Sequence, residues 1–170
     1  MTPLTIALAV VVFVPMLVEA AVSRRHDREL RAAGAAEPAG DVYATMQVAY
    51  PGAFLMMLAE GVARHARVDT AVWVGAAIFI AAKALKYWAT ATLGVRWTFR
   101  ILVPPGSKRI VSGPYRWVRH PNYIAVAGEL VGTALMMRAF VTGPVATLGF
   151  IALMLARIRV EDRALQLERR

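Results

Sequence analysis

Residues 4–22 read LTIALAVVVFVPMLVEAAV, an apolar run whose breaks are Pro15 and Glu19. About 20 mostly apolar residues are what a helix needs to cross the hydrocarbon core of a bilayer. A secretory leader would begin with a basic segment and end at small residues. This run has neither the basic start nor a plausible cleavage site at Glu19, and it reads as a retained span.

Four more stretches follow. Residues 46–63 form a less uniform candidate containing Pro51, Gly52 and Glu60, and residues 71–89 form a third with Lys83 and Lys86 near its end. Residues 121–140 enclose Glu129, and residues 142–156 make a short fifth stretch. The expectation is an all-α integral membrane bundle of about five transmembrane helices with a cytoplasmic C-terminal helix. Residues 1–170 form one domain, in which residues 1–88 are a three-helix scaffold and residues 89–170 a core with spans four and five and a charged tail helix from Arg157. No internal repeat or low-complexity tract is visible.

Composition agrees. Apolar residues make up 58% of the chain, above the usual share of a soluble domain. The absence of cysteine removes disulfides, thiolate metal sites and a cysteine nucleophile. The net charge of +9 calls for a partner or a location. With the N-terminus outside, the cytoplasmic side collects Arg24, Arg25, Arg28 and Arg31, six Lys or Arg between residues 90 and 120, and five in the tail. The opposite side keeps Arg64, Arg67 and Arg138. That asymmetry satisfies the positive-inside rule and supports an odd number of spans. Lys83 and Lys86 are expected to snorkel to the cytoplasmic interface. Topology and anionic lipid account for the charge without nucleic acid.

Chemistry concentrates in residues 113–123, GPYRWVRHPNY, where the fourth span begins. Proline suits the first turn of a helix, where its missing N–H is not needed. It also biases the preceding residue away from helical geometry. His120 is therefore placed at the mouth of a helix, beside free backbone N–H groups that favour an anion. Glu129 lies seven residues after Asn122 and shares its helix face. A carboxylate inside a span costs about 2.5–3.5 kcal/mol on insertion scales, so it faces a cavity or a partner. That partner could be Lys83 or Lys86. Gly128 and Gly132 form a small-xxx-small pair that suits close helix packing. In the tail, Arg157 and Glu161 are four apart and face one way.

Taken together, GPYRWVRHPNY, the downstream glutamate and the terminal Arg-x-x-x-Glu-acid pattern resemble the isoprenylcysteine carboxyl methyltransferase family, whose core phospholipid N-methyltransferases share. The resemblance covers about residues 90–165. It implies a helical membrane enzyme using S-adenosyl-L-methionine. By resemblance, Tyr115, His120, Pro121, Asn122, Tyr123, Lys108, Arg109 and Ile110 line the donor site, Glu161 completes it, and Arg157 faces the methyl acceptor. Asp162 stands where the family often has a second glutamate. No metal is implied, and His26, His65 and His120 are not placed to form a metal or haem site.

The implied reaction is displacement at a methyl carbon, dominated by positioning. A carboxylate acceptor needs no base; a phenol, with an ordinary pKa near 10, does. Glu129 and His120 are the catalytic candidates for that proton. The Ala, Arg and Gly bias reads as bacterial, which points to an inner-membrane enzyme acting on a lipid-like hydroxyl or carboxyl. Some bacterial members resemble enzymes that O-methylate long-chain alkylresorcinols or alkylpyrones. The alternatives are a phospholipid headgroup N-methyltransferase and a non-enzymatic membrane subunit or transporter, from which donor binding discriminates. Among the remaining residues, His26 and His65 are expected to be solvated and Glu19 and Glu60 interfacial. Met56, Met57, Met136 and Met137 are expected to fill packing gaps. Pro51 is expected to kink the second span and open a lateral entrance.

Overall fold

The computed structural model describes residues 3–107 and 109–167. Their regular structure is five α-helices, with no strand beyond one isolated bridge: α1 (Pro3–Ala32), α2 (Tyr43–Ala63), α3 (Thr70–Leu93), α4 (Pro121–Met137) and α5 (Thr142–Leu167). Short 3-10 turns at Gly94–Arg96 and Gly113–Arg116 punctuate the long connection between α3 and α4. Among the described residues, three helical stretches are long and apolar enough to cross a membrane: Thr5–Ala32, Thr70–Arg96 and Thr142–Ala164. Helix α4 has 17 residues and falls short of a full crossing by length.

Two helices are longer than the apolar runs suggest. Helix α1 continues past Val22 for ten residues to Ala32, so much of the polar segment expected as a loop is helical. Helix α5 runs unbroken for 26 residues to Leu167. The charged tail thus continues α5 instead of forming a helix of its own, and Arg157 lies within the rod. Arg169 and Arg170 lie outside the described residues.

The core joins all five helices. Leu8 and Val12 of α1, Phe54 and Met57 of α2, Phe79 of α3, Leu130 and Met136 of α4, and Phe150 and Met154 of α5 bury together. Met57, Met136 and Met137 are fully enclosed, as gap-filling methionines should be, whereas Met56 faces outward. The outer faces carry Ile6, Val10, Leu17, Trp73, Ile80 and Leu148, consistent with a lipid surround.

Close approach between α3 and α4 rests on glycine. A Cβ on Gly75 would come within 2.6 Å of the Gly132 carbonyl oxygen, and one on Gly132 within 2.8 Å of that of Gly75. Gly128 packs against Ala82 in the same seam. At the far end, Asp69 caps α3 by accepting from the Ala71 and Val72 N–H groups at 3.0 and 3.2 Å. It also binds the Arg138 guanidinium at 3.0 Å. Glu60, at the end of α2, accepts from the Thr142 N–H and hydroxyl, both at 2.7 Å, and so caps the start of α5. His65, with φ +50°, is exposed in the turn after α2.

Candidate functional site

The connection from residue 94 to residue 120 folds back over the bundle as a roof. Its hold on the rest of the chain comes from α1 and the segment after it. The Ser23 hydroxyl accepts from the Phe99 N–H at 2.8 Å. His26 Nδ1 lies 2.8 Å from the Trp97 carbonyl oxygen, so His26 is a structural partner of the roof and not the solvated residue expected. Ala36 and Val103 exchange two backbone hydrogen bonds, at 3.2 and 3.0 Å. Glu37 ties Arg31 and Arg100 together at 2.5 and 2.8 Å. Partial burial would raise the Glu37 carboxyl, but the hydrogen bonds from those arginines outweigh it and hold it below its ordinary range.

Beneath the roof is a polar cavity of about 160 Å³. The tight turn at Gly113, with φ +55°, carries the backbone into the Gly113–Arg116 turn and sets Tyr115 on its wall. Burial first, and the nearby Glu161 charge second, push the Tyr115 phenol up, so it stays a neutral hydrogen-bonding group. Helix α4 starts at Pro121 with His120 as its N-cap, as the proline rule predicts. His120, Asn122 and Tyr123 all line the cavity, with Arg109, Ile110, Arg157 and Glu161. Pro121 itself is fully buried and supports the turn from behind. Lys108 lies outside the described residues.

Glu161 organises this wall. Its Oε2 accepts from the Tyr123 hydroxyl at 3.1 Å and lies 3.8 Å from His120 Nδ1. Asp162 Oδ1 lies 3.6 Å from the other nitrogen of that ring. The start of α4 and the C-terminal half of α5 therefore meet. Asn122 Oδ1 is buried with no hydrogen-bond partner among the described residues, an acceptor left over for a ligand donor.

A second, more apolar cavity of about 400 Å³ lies between α1, α2, α4 and α5. Met16, Leu17, Met46, Val126 and Phe150 line it, and so does Pro51. Thr98, Asn122, Tyr123 and Arg157 line both cavities and form the partition between them. Arg157 is only 6% exposed, so it is a buried cation and not an interfacial one. Its Nη1 lies 3.3 Å from Asp41 Oδ1 and 3.9 Å from the Met46 sulfur.

Glu129 sits deeper and lines neither cavity. Its carboxylate closes a ring of four buried charges. Lys83 Nζ lies 2.7 Å from Glu19 and 3.1 Å from Glu129, and Lys86 Nζ lies 2.5 and 3.2 Å from the same two acids. The Tyr50 hydroxyl donates to Glu129 Oε2 at 2.5 Å. Lys86 and Tyr50 also reach the apolar cavity. This corrects two expectations. Neither lysine snorkels to the interface, because each finds two carboxylates inside, and Glu19 is buried instead of interfacial. Burial of such charges is tolerable only when they are paired and hydrogen-bonded.

Sequence reasoning missed Asp41, Thr98 and Ser23. None belongs to a periodic pattern or a local motif; Ser23 and Asp41 matter through bonds to distant segments, and Thr98 by lining both cavities. Only the polarity of the 98–100 stretch and an acid just before a helix start could have marked them.

A model of the isoprenylcysteine carboxyl methyltransferase (ICMT) family matches residues 74–167, which include most of α3, the roof, α4 and α5. The chain is 33% identical over 163 residues to the uncharacterized protein YpbQ of Bacillus subtilis, an overlap of 94% of this chain and 95% of the relative. It is 26% identical over 145 residues to an uncharacterized protein of Haemophilus influenzae, covering 85% and 84% of the two chains. No solved structure matches it. Its apolar helices are those of an integral membrane protein and its matched segment implies methyl transfer: the chain belongs to the isoprenylcysteine carboxyl methyltransferase family.

Proposed function

We propose that this protein is an S-adenosyl-L-methionine-dependent O-methyltransferase of a bacterial inner membrane, acting on a hydroxyl or carboxyl of a lipid-like acceptor. The observation that carries this reading is the partition of Thr98, Asn122, Tyr123 and Arg157 between a polar cavity and an apolar one. A polar donor and an amphiphilic acceptor can approach the same wall from its two sides.

The polar cavity suits the donor. When bound, the donor supplies an electrophilic methyl group on a sulfonium. Glu161 offers a carboxylate to an amine or to ribose hydroxyls, and Arg109 offers charge-assisted hydrogen bonds to a carboxylate. Asn122 Oδ1 accepts from an exocyclic amine, and Tyr115 and Tyr123 offer ring faces to a base or a cation. His120 is held between Glu161 and Asp162, within reach of an acceptor proton at the partition. Pro121 acts by fixing the start of α4.

On the other side, Pro51 and the exposed Leu17 border the apolar cavity, which admits an alkyl chain from the lipid between α1 and α2. Arg157 then faces the acceptor oxygen. With its charge ring complete, Glu129 serves as the anchor of Lys86 and Tyr50 at that cavity. Residues 1–88 are the scaffold and residues 89–170 the core of one domain. All five helices lie in the membrane, with α4 completed by its flanking turns, the N-terminus outside and the end of α5 in the cytoplasm.

The test is binding followed by product. Protein purified in detergent should give a saturable heat with S-adenosylhomocysteine, and lipid extracts of cells fed labelled methionine should gain a labelled species only when the protein is present. No heat and no new labelled lipid would end this reading.

A further inference from the structure

Arg157 is a buried cation whose charge needs an answer before any acceptor arrives. That answer comes from outside the segment shared with the family, in the turn before α2. The Asp41 side chain is 3% exposed. Its Oδ1 lies 3.3 Å from Arg157 Nη1 and accepts from the Tyr43 N–H at 3.1 Å. Its Oδ2 accepts from the Ile101 N–H at 3.1 Å. One carboxylate thus joins the start of α2, the roof of the polar cavity and the guanidinium at the partition. Arg100 lies 4.3 Å over the Tyr43 ring and covers the junction.

We propose that Asp41 is a positioning residue for methyl transfer, fixing Arg157 at the partition and supplying the counter-charge that keeps it there between turnovers. The proposal rests on the reading of Arg157 as the acceptor-facing group. The chemistry requires a carboxylate specifically. An asparagine keeps one acceptor oxygen: placed at the Oδ1 position it still accepts from the Tyr43 N–H, so a residue that merely caps α2 tolerates Asp41→Asn, whereas one that props the roof loses the Ile101 bond and donor affinity with it. A residue that orients a buried guanidinium shows its loss at Arg157 and the acceptor instead, because the amide removes the charge that holds Arg157. Asp41→Glu keeps the charge and is the rescue variant. Displacement of a group at a reacting centre by about 1 Å can cost on the order of 100-fold in rate.

Three variants, Asp41→Asn, Asp41→Glu and Arg157→Lys, are compared with the wild type as full chains in detergent. With arginine labelled by nitrogen-15, the Arg157 side-chain resonance is identified by its loss in Arg157→Lys. It should be sharp in the wild type, shifted or broadened in Asp41→Asn, and recovered in Asp41→Glu. With dodecylphenol and dodecanoic acid as probe acceptors, Asp41→Asn should raise the acceptor KM by about tenfold or more. Its affinity for S-adenosylhomocysteine should stay within about twofold of wild type. An Arg157 resonance unchanged in Asp41→Asn overturns the proposal, as does an equal loss of donor affinity and acceptor turnover, which marks a mere roof prop. Wild-type protein that binds no S-adenosylhomocysteine and methylates neither probe defeats the methyltransferase reading instead. The arginine resonance, recorded without ligands, still decides whether Asp41 holds Arg157.

Discussion

Arg157 and Glu161 stand one turn apart on α5, yet their surroundings differ. Glu161 touches Tyr123 and lies near His120 on the polar side, whereas Arg157 reaches through the partition towards Met46 and the apolar cavity. A hydrogen bond to a charged group contributes about 1.5–3 kcal/mol. Glu161→Ala should therefore weaken S-adenosylhomocysteine binding by roughly 10- to 100-fold, and Arg157→Ala should chiefly reduce acceptor turnover; calorimetry beside a methyl-transfer assay separates them. Glu129 predicts a different outcome. Glu129→Gln leaves two buried lysines sharing Glu19 alone, and loss of one partner from a buried ion network costs about 3–5 kcal/mol. The detergent-solubilised variant should unfold at clearly lower temperature, while Glu29→Gln, at an exposed ion pair, should unfold like wild type.

At the scale of the helix, the seam between α3 and α4 fixes where Lys83, Lys86 and the start of α4 can be. Gly132→Ala puts a methyl group against the backbone of Gly75, and overpacking of this kind costs about 1–3 kcal/mol. Gly149→Ala in α5 meets nothing within 4 Å and should be neutral or slightly stabilising by helix propensity. Thermal unfolding of the two variants side by side checks both. The elements also show what a linear reading can recover. Pro121 announced the start of α4, and the Gly128–Gly132 spacing announced a close seam, because both signals are local. The length of α1 and the continuity of α5 were hidden, since polar residues such as Asp27 and Arg157 look like loop or tail until their partners from other segments are known. Asp41 was legible only as an acid just before a helix start: Tyr43 lies two residues on, but its other partners, Ile101 and Arg157, lie on the roof and α5, and nothing near it in the chain names them.

For the whole molecule, the charge asymmetry makes a topological prediction that the absence of native cysteine makes easy to test. Val111 and Val141 are both well exposed and lie on opposite sides in the proposed arrangement. In intact cells, Val141→Cys should react with a membrane-impermeant maleimide, and Val111→Cys should react only after the membrane is opened. The reverse pattern would place the polar cavity outside, away from any cytosolic methyl donor.

Ribosomes deliver the ring of buried charges in a fixed order, acid, base, base, acid. Glu19 emerges 64 residues ahead of Lys83, so α1 is synthesised before either ammonium exists to neutralise it. A newborn α1 carries a carboxylic acid with no answering base, and it is a poor resident of lipid until α3 arrives. Biogenesis therefore favours late docking of the first helix, and truncated chains ending before residue 83 should be preferred targets of membrane quality control.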